Sequence, residues 1–156
     1  ITVVSIVGFV LMMIGYGQAR LVPVPLWEPP LFTRHIAILL NLFAFLLLTA
    51  AYVPRNIIKA KIGHPMVAGV KIWALAHLIA NGNVADVILF GSLLVWAVLN
   101  FRASRQRDRV NEIDYAPATV IGTMATLAIG TIAWYVFLQW LHVRWIGVSP
   151  LGAMAS

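Results

Sequence analysis

From Ile36 to Pro54 the chain carries no charged side chain, and Leu, Phe, Ile and Ala fill most of that stretch. A helix of about 20 apolar residues spans the hydrocarbon core of a bilayer, with a working range of about 17–25. Comparable runs recur, and together they predict five membrane helices over residues 1–16, 34–52, 66–80, 84–101 and 117–141. Of these, 34–52, 84–101 and 117–141 qualify easily by length, whereas 66–80 is short. With 62% hydrophobic and 10% charged residues in 156, the chain has more apolar surface than one soluble core can bury. The expected fold is therefore all-α: a polytopic transmembrane helix bundle forming a single domain over residues 1–156, with the lipid bilayer as its surroundings.

The same composition removes several chemistries. With no cysteine, disulfides, thiolate-ligated zinc, iron–sulfur clusters and thiol nucleophiles are excluded. The formal charge of +6 comes from basic residues lying between apolar runs, where they orient helices and meet anionic lipid, so no nucleic-acid partner is expected. HExxH, phosphate-loop and nucleophile-elbow motifs are all missing. The first residue is Ile1, without a methionine or a charged flank ahead of its apolar run, and a further helix is expected upstream.

The connections can be read as well. Pro23, Pro25, Pro29 and Pro30 fix an extended loop after the first helix, with Trp27 suited to the membrane interface. Asn81-Gly82-Asn83 reads as a tight turn in which Gly82 takes a positive φ, and Pro117 fits the first turn of the last helix. Arg55, Lys59 and Lys61 fall between the second and third helices, and Arg102, Arg105, Arg107 and Arg109 between the fourth and fifth. By the excess of Lys and Arg on cytoplasmic loops, both connections face the cytoplasm and the C-terminus lies in the periplasm.

One segment stands apart. Lys61–Gly82, KIGHPMVAGVKIWALAHLIANG, places two histidines, a lysine, a tryptophan and an asparagine in otherwise apolar sequence, and polar side chains within lipid are costly and usually functional. Met66, Val70, Trp73, His77 and Asn81 succeed one another at helical spacing and form one stripe. A neutral imidazole at His77 can ligate a metal, and a flat cofactor can lie against Trp73, with Asn81 on the same stripe. It can equally make a single interhelical hydrogen bond, and spacing alone does not separate the two. His64 reads either as a ligand or as an interfacial residue before Pro65. Lys71 reads as a snorkelling lysine or as the partner of an acidic group such as a cofactor propionate, and Arg34 with His35 as an interfacial anchor or as part of the site. His35 and His142 both fall at the end of the bundle toward which His77 lies. Trp134, Trp140 and Trp145 read as interface and packing residues, Asp86 as a favourable charge in a first helical turn, and 102–109 as a solvated basic stretch.

The segment, with VADVILFG after it, resembles the signature of the NnrU family of integral membrane proteins, which includes relatives of the plant zeta-carotene isomerase. GYGQAR at Gly15–Arg20, WEPP at Trp27–Pro30, RHIAILL at Arg34–Leu40 and AYVPRNIIKAK at Ala51–Lys61 extend the resemblance over nearly the whole chain. It implies a bacterial inner-membrane protein linked to nitrite and nitric oxide respiration (denitrification). It also implies haem b, because the isomerase relatives carry that group between membrane helices on a histidine matching His77. In those relatives a second axial histidine lies in an upstream helix. The cysteine they carry one turn before the ligand is Ala74 here, so a cysteine–iron ligand exchange has no counterpart in this chain.

The resemblance leads to three functional expectations. The first is a haem-b protein of nitrogen-oxide respiration, with His77 as metal ligand, Trp73 and Asn81 around it and Lys71 or Arg34 as propionate partners. The second is a haem-dependent cis–trans isomerase of a polyene such as zeta-carotene. The third is an accessory subunit of a larger respiratory or photosynthetic membrane complex.

Overall fold

The computed structural model describes residues 2–152. Seven α-helices account for most of them: α1 (Thr2–Ala19), α2 (Leu31–Tyr52), α3 (Ile57–Ile62), α4 (Pro65–Ala80), α5 (Val84–Val110), α6 (Val120–Val136) and α7 (His142–Ile146). A π-helical turn, Phe137–Leu141, joins α6 to α7, so Val120–Ile146 is one continuous arm. Among the described residues four helical stretches are long and apolar enough to cross a membrane: Thr2–Ala19, Leu31–Tyr52, Val84–Val110 and Val120–Ile146. At 16 residues α4 is shorter than these, as its sequence implies.

Local chemistry explains most boundaries. Helix α2 begins after Pro30, whose carbonyl accepts from the Thr33 hydroxyl at 2.6 Å, and ends before Pro54, which forces Val53 into an extended conformation (ψ 125°). Helix α3 lies where only a connection was expected. Asn56 produces it: its side-chain oxygen accepts from the Lys59 N–H at 2.8 Å while its amide donates to the carbonyls of Ala50 and Val53 at 2.9 and 2.6 Å. One asparagine, 1% exposed, thus closes one helix and opens the next.

Two expectations about helix ends are corrected. Pro117 does not occupy the first turn of α6; residues 113–119 lie outside any helix and α6 starts at Val120, where the Thr119 hydroxyl accepts from the Gly122 N–H at 3.1 Å. A side-chain cap outcompetes the proline signal. The basic stretch 102–109 is not a loop but the last turns of α5, with Arg107 and Arg109 beside the C-terminal carbonyls, where positive charge is favourable.

Packing has a simple order. Helix α4 lies between α2 and α5, α6 packs on the other side of α2, and α1 packs on α5 alone among the described helices. Small residues permit the close approaches. A β-carbon at Gly69 would meet the Ala44 carbonyl at 3.1 Å, and one at Gly130 would meet the Leu46 Cα at 3.1 Å. Gly122, Thr126 and Gly130 are the buried residues of α6, a small-residue stripe of the kind that lets membrane helices associate without bulky side chains.

The two ends are cross-linked separately. At one end, the Gly82 carbonyl accepts from the N–H groups of Leu26 and Trp27 at 2.7 and 3.2 Å, and the Val84 N–H donates to the Val24 carbonyl at 3.0 Å. This ties the proline-rich loop to the α4–α5 turn. Gly82 is needed here for proximity rather than for the expected positive φ, since a β-carbon there would collide with the Trp27 carbonyl. At the other end, the Thr119 N–H donates to the Arg55 carbonyl at 2.7 Å and joins the α5–α6 connection to the α2–α3 connection.

The Gly82 contact yields a direct test. Gly82→Val should lower stability by about 1–3 kcal/mol, the usual cost of overpacking, read as a fall in the thermal unfolding midpoint in detergent. Gly91→Ala, where a β-carbon meets nothing within 4 Å, should leave that midpoint unchanged or raise it.

Candidate functional site around His77

His77 sits one turn before the end of α4, and its surroundings come from three helices. Its ring packs against Phe90 of α5 (centroids 4.6 Å apart, planes 31° apart) and against Trp73 one turn earlier (4.9 Å). Trp73 meets Phe90 edge-on at 5.2 Å, and Tyr16 of α1 meets the same Phe90 ring at 6.0 Å. Phe90, 4% exposed, is the centre of this cluster. The spacing of α4 places Trp73 beside His77, but nothing local announces Phe90 or Tyr16.

The orientation of the imidazole is fixed. Its Nδ1 lies 2.9 Å from the Trp73 carbonyl oxygen, which can only accept, so in the neutral ring the proton is on Nδ1. Nε2 then keeps its lone pair. A backbone carbonyl at the far nitrogen is the arrangement that orients metal-ligating histidines and raises their basicity. The Asn81 side-chain amide donates to the His77 carbonyl at 2.8 Å and secures the end of α4.

A carboxylate stands beside the cluster. Asp86, 4% exposed in the first turn of α5, accepts from the Tyr16 hydroxyl at 2.6 Å and from the Asn83 side-chain amide at 3.0 Å. It thus does more than favour the helix N-terminus: it is the polar tie between α1 and the rest of the bundle. None of the α1 residues described is buried, and α5 is its sole helical neighbour among the described residues.

The remaining candidates have other neighbours. The Lys71 ammonium lies 4.5 Å from the centroid of the Phe101 ring, toward the other end of α5. Arg34, near the start of α2, stands beside the Gly152 backbone at the end of the described chain. His35 is exposed. Trp134 donates to the Ile38 carbonyl at 3.3 Å, while Trp140 and Trp145 are exposed apolar surface.

His64 belongs to a second cluster at the basic end. Its Nε2 is 2.9 Å from Asp108 Oδ2, the same oxygen that accepts from the Tyr115 hydroxyl at 2.7 Å and from Arg105 at 3.4 Å. Burial, and then the hydrogen bond and charge of Asp108, raise the Tyr115 hydroxyl above its ordinary pKa, so it stays a donor. Gly63 just before His64 has φ +79°, and a β-carbon there would meet Arg105 Nη1 and the Tyr115 oxygen, each at 2.7 Å. The cluster is a clasp that holds the end of α5 and the segment after it against the α3–α4 corner. His64 and His77 occupy opposite ends of α4 and do not share a site.

Among the described residues no group of three or more His, Asp or Glu side chains is arranged to hold a metal ion.

These contacts provide two tests. Tyr16→Phe removes a donor from a buried carboxylate and should cost about 1–3 kcal/mol; in a double-mutant cycle with Asp86→Asn the two losses should fall short of additive, and additivity would mean that the bond contributes nothing. Asp108→Asn should open the clasp, seen as faster tryptic cleavage after Arg109 than in the unmodified protein.

A family model described as "NnrU protein" matches residues 1–150. No curated protein and no solved structure matches the chain.

Proposed function

The chain belongs to the NnrU family, and from that premise we propose that it is a multi-pass haem-b protein of the bacterial inner membrane serving nitrite and nitric oxide respiration. The observation that carries the haem assignment is the state of His77. Its Nδ1 is committed to the Trp73 carbonyl, its Nε2 lone pair is left for a metal, and Trp73 and Phe90 give it aromatic walls. One imidazole outside any cluster of carboxylates or thiolates suits a macrocycle that supplies four nitrogens of its own. When bound, a haem supplies electron transfer or redox sensing, with a potential tuned by the axial ligand and the surrounding dielectric. The chain's own residues fix the imidazole, exclude water from one side of it and hold the end of α4 through Asn81.

The distribution of charge supports the orientation. Arg55, Lys59, Lys61, Arg102, Arg105, Arg107 and Arg109 gather at one end, against Arg20, Arg34 and Arg144 at the other. The richer end is the cytoplasmic one by the usual asymmetry. His77 and the proline-rich loop then lie toward the periplasm, and α7 with them.

Full-length protein purified after expression with ample haem supply should show a reduced-minus-oxidised difference spectrum of b type. His77→Ala should lose most of the bound haem while keeping its helical content by circular dichroism. A spectrum free of haem bands, or a His77→Ala protein that retains its haem, would overturn the assignment.

A further inference from the structure

Arg55, between α2 and α3, takes φ +54°, a left-handed conformation that glycine or asparagine adopts more cheaply. Its backbone is pinned there. The Arg55 carbonyl accepts from the Thr119 N–H at 2.7 Å and from the Thr119 hydroxyl at 3.3 Å, and a β-carbon at Gly122 would meet that oxygen at 2.6 Å. The side chain is left over: among the described residues its guanidinium makes no hydrogen bond or ion pair. An arginine kept on strained backbone without a protein partner calls for a reason outside the chain's own contacts.

Arg55 lines a cavity of about 190 Å³, with Lys59 and Tyr115 among the other walls. The Lys59 ammonium spends one of its three protons on the Ala51 carbonyl at 3.0 Å and keeps two. Tyr115 spends its hydroxyl on Asp108, which also holds His64 and Arg105. No carboxylate lines the cavity, so its two cations face no acid. The surroundings are apolar. Tyr52 at the end of α2, and Val120 and Ile121 in the first turn of α6, are 72, 79 and 83% exposed. Two stretches able to cross a membrane thus end beside the cavity.

We propose that this cavity binds the phosphate of an anionic phospholipid. The arginine fork suits two phosphate oxygens and Lys59 adds a second charge, as in basic pockets that hold lipid headgroups beside membrane helices. The cavity is smaller than the clefts of about 300–1,000 Å³ that engulf whole soluble ligands. It suits a headgroup phosphate whose acyl chains stay outside, against Tyr52, Val120 and Ile121.

The test titrates detergent-solubilised, full-length protein with dioleoyl phosphatidylglycerol and reads the adducts by native mass spectrometry. Arg55→Gly and Arg55→Asn, both tolerant of the φ of +54°, should weaken the adduct about tenfold or more, the worth of a charge-assisted hydrogen bond, and Arg55→Lys should restore part of the loss. Arg102→Gln removes an exposed charge from the same end but not from the cavity, and should leave the adduct unchanged. An adduct that survives both Arg55 variants, or falls equally in Arg102→Gln, overturns the site. Phosphatidylglycerol should also raise the thermal unfolding midpoint of the unmodified protein; an equal rise with inorganic phosphate at the same concentration overturns the lipid as occupant.

Discussion

Everything at the His77 end depends on keeping one short polar helix out of lipid. At about 1.5 Å per residue the 16 residues of α4 rise about 24 Å, less than the hydrocarbon thickness of about 30 Å. It also carries Lys71 and His77, which a lipid-facing helix could not hold cheaply. The bundle's answer is to place α4 between α2 and α5 and to bring those helices close through Gly69, Ala74 and Ala76. The helices on either side cover much of α4, leaving Met66 and Leu75 as its exposed large apolar side chains. The site is a consequence of that arrangement, because its ionisable groups, His77 and Asp86, come from α4 and from the start of the helix packed on it.

The two ends of α4 are then used differently. At the basic end, His64 is tied into a clasp of Asp108, Tyr115 and Arg105, groups with long side chains and access to water. At the other end the ties are mostly backbone to backbone, through Gly82, or side chains meeting in pairs, as with Tyr16 and the buried Asp86. Backbone contacts tolerate few substitutions and little movement, and the His77 imidazole is itself held by one, through the Trp73 carbonyl. Both histidines lie in one segment of sequence, but they do unlike work.

Much of this was legible in the residues. The five apolar runs, the shortness of 66–80 and the Trp73–His77 neighbourhood come from hydropathy and helical spacing, since both are local. What could not be read locally is what depends on partners far along the chain. Tyr16 and Asp86 are 70 positions apart, and no pattern near either announces the bond. Asn81 also caps the end of α4, where the carbonyls of the last turn need donors, a contact that helical spacing does not announce. Pro117 misled because a proline signals where a helix can begin, while the Thr119 hydroxyl decides where it does.

The π-helical turn is the clearest case of structure that only tertiary contacts can specify. An α-helix advances about 100° per residue, and inserting one residue rotates the remainder of the helix by about that amount. Were Val120–Ile146 regular throughout, His142 would stand roughly a quarter-turn or more away from its present direction and Arg20 would lose the Ile146 carbonyl. The sequence FLQWL holds no glycine or proline to break the helix. What holds the turn is aromatic packing: Phe137 meets Phe45 on one side and Trp145 at 6.2 Å on the other, so the wider turn is kept by residues before and after it.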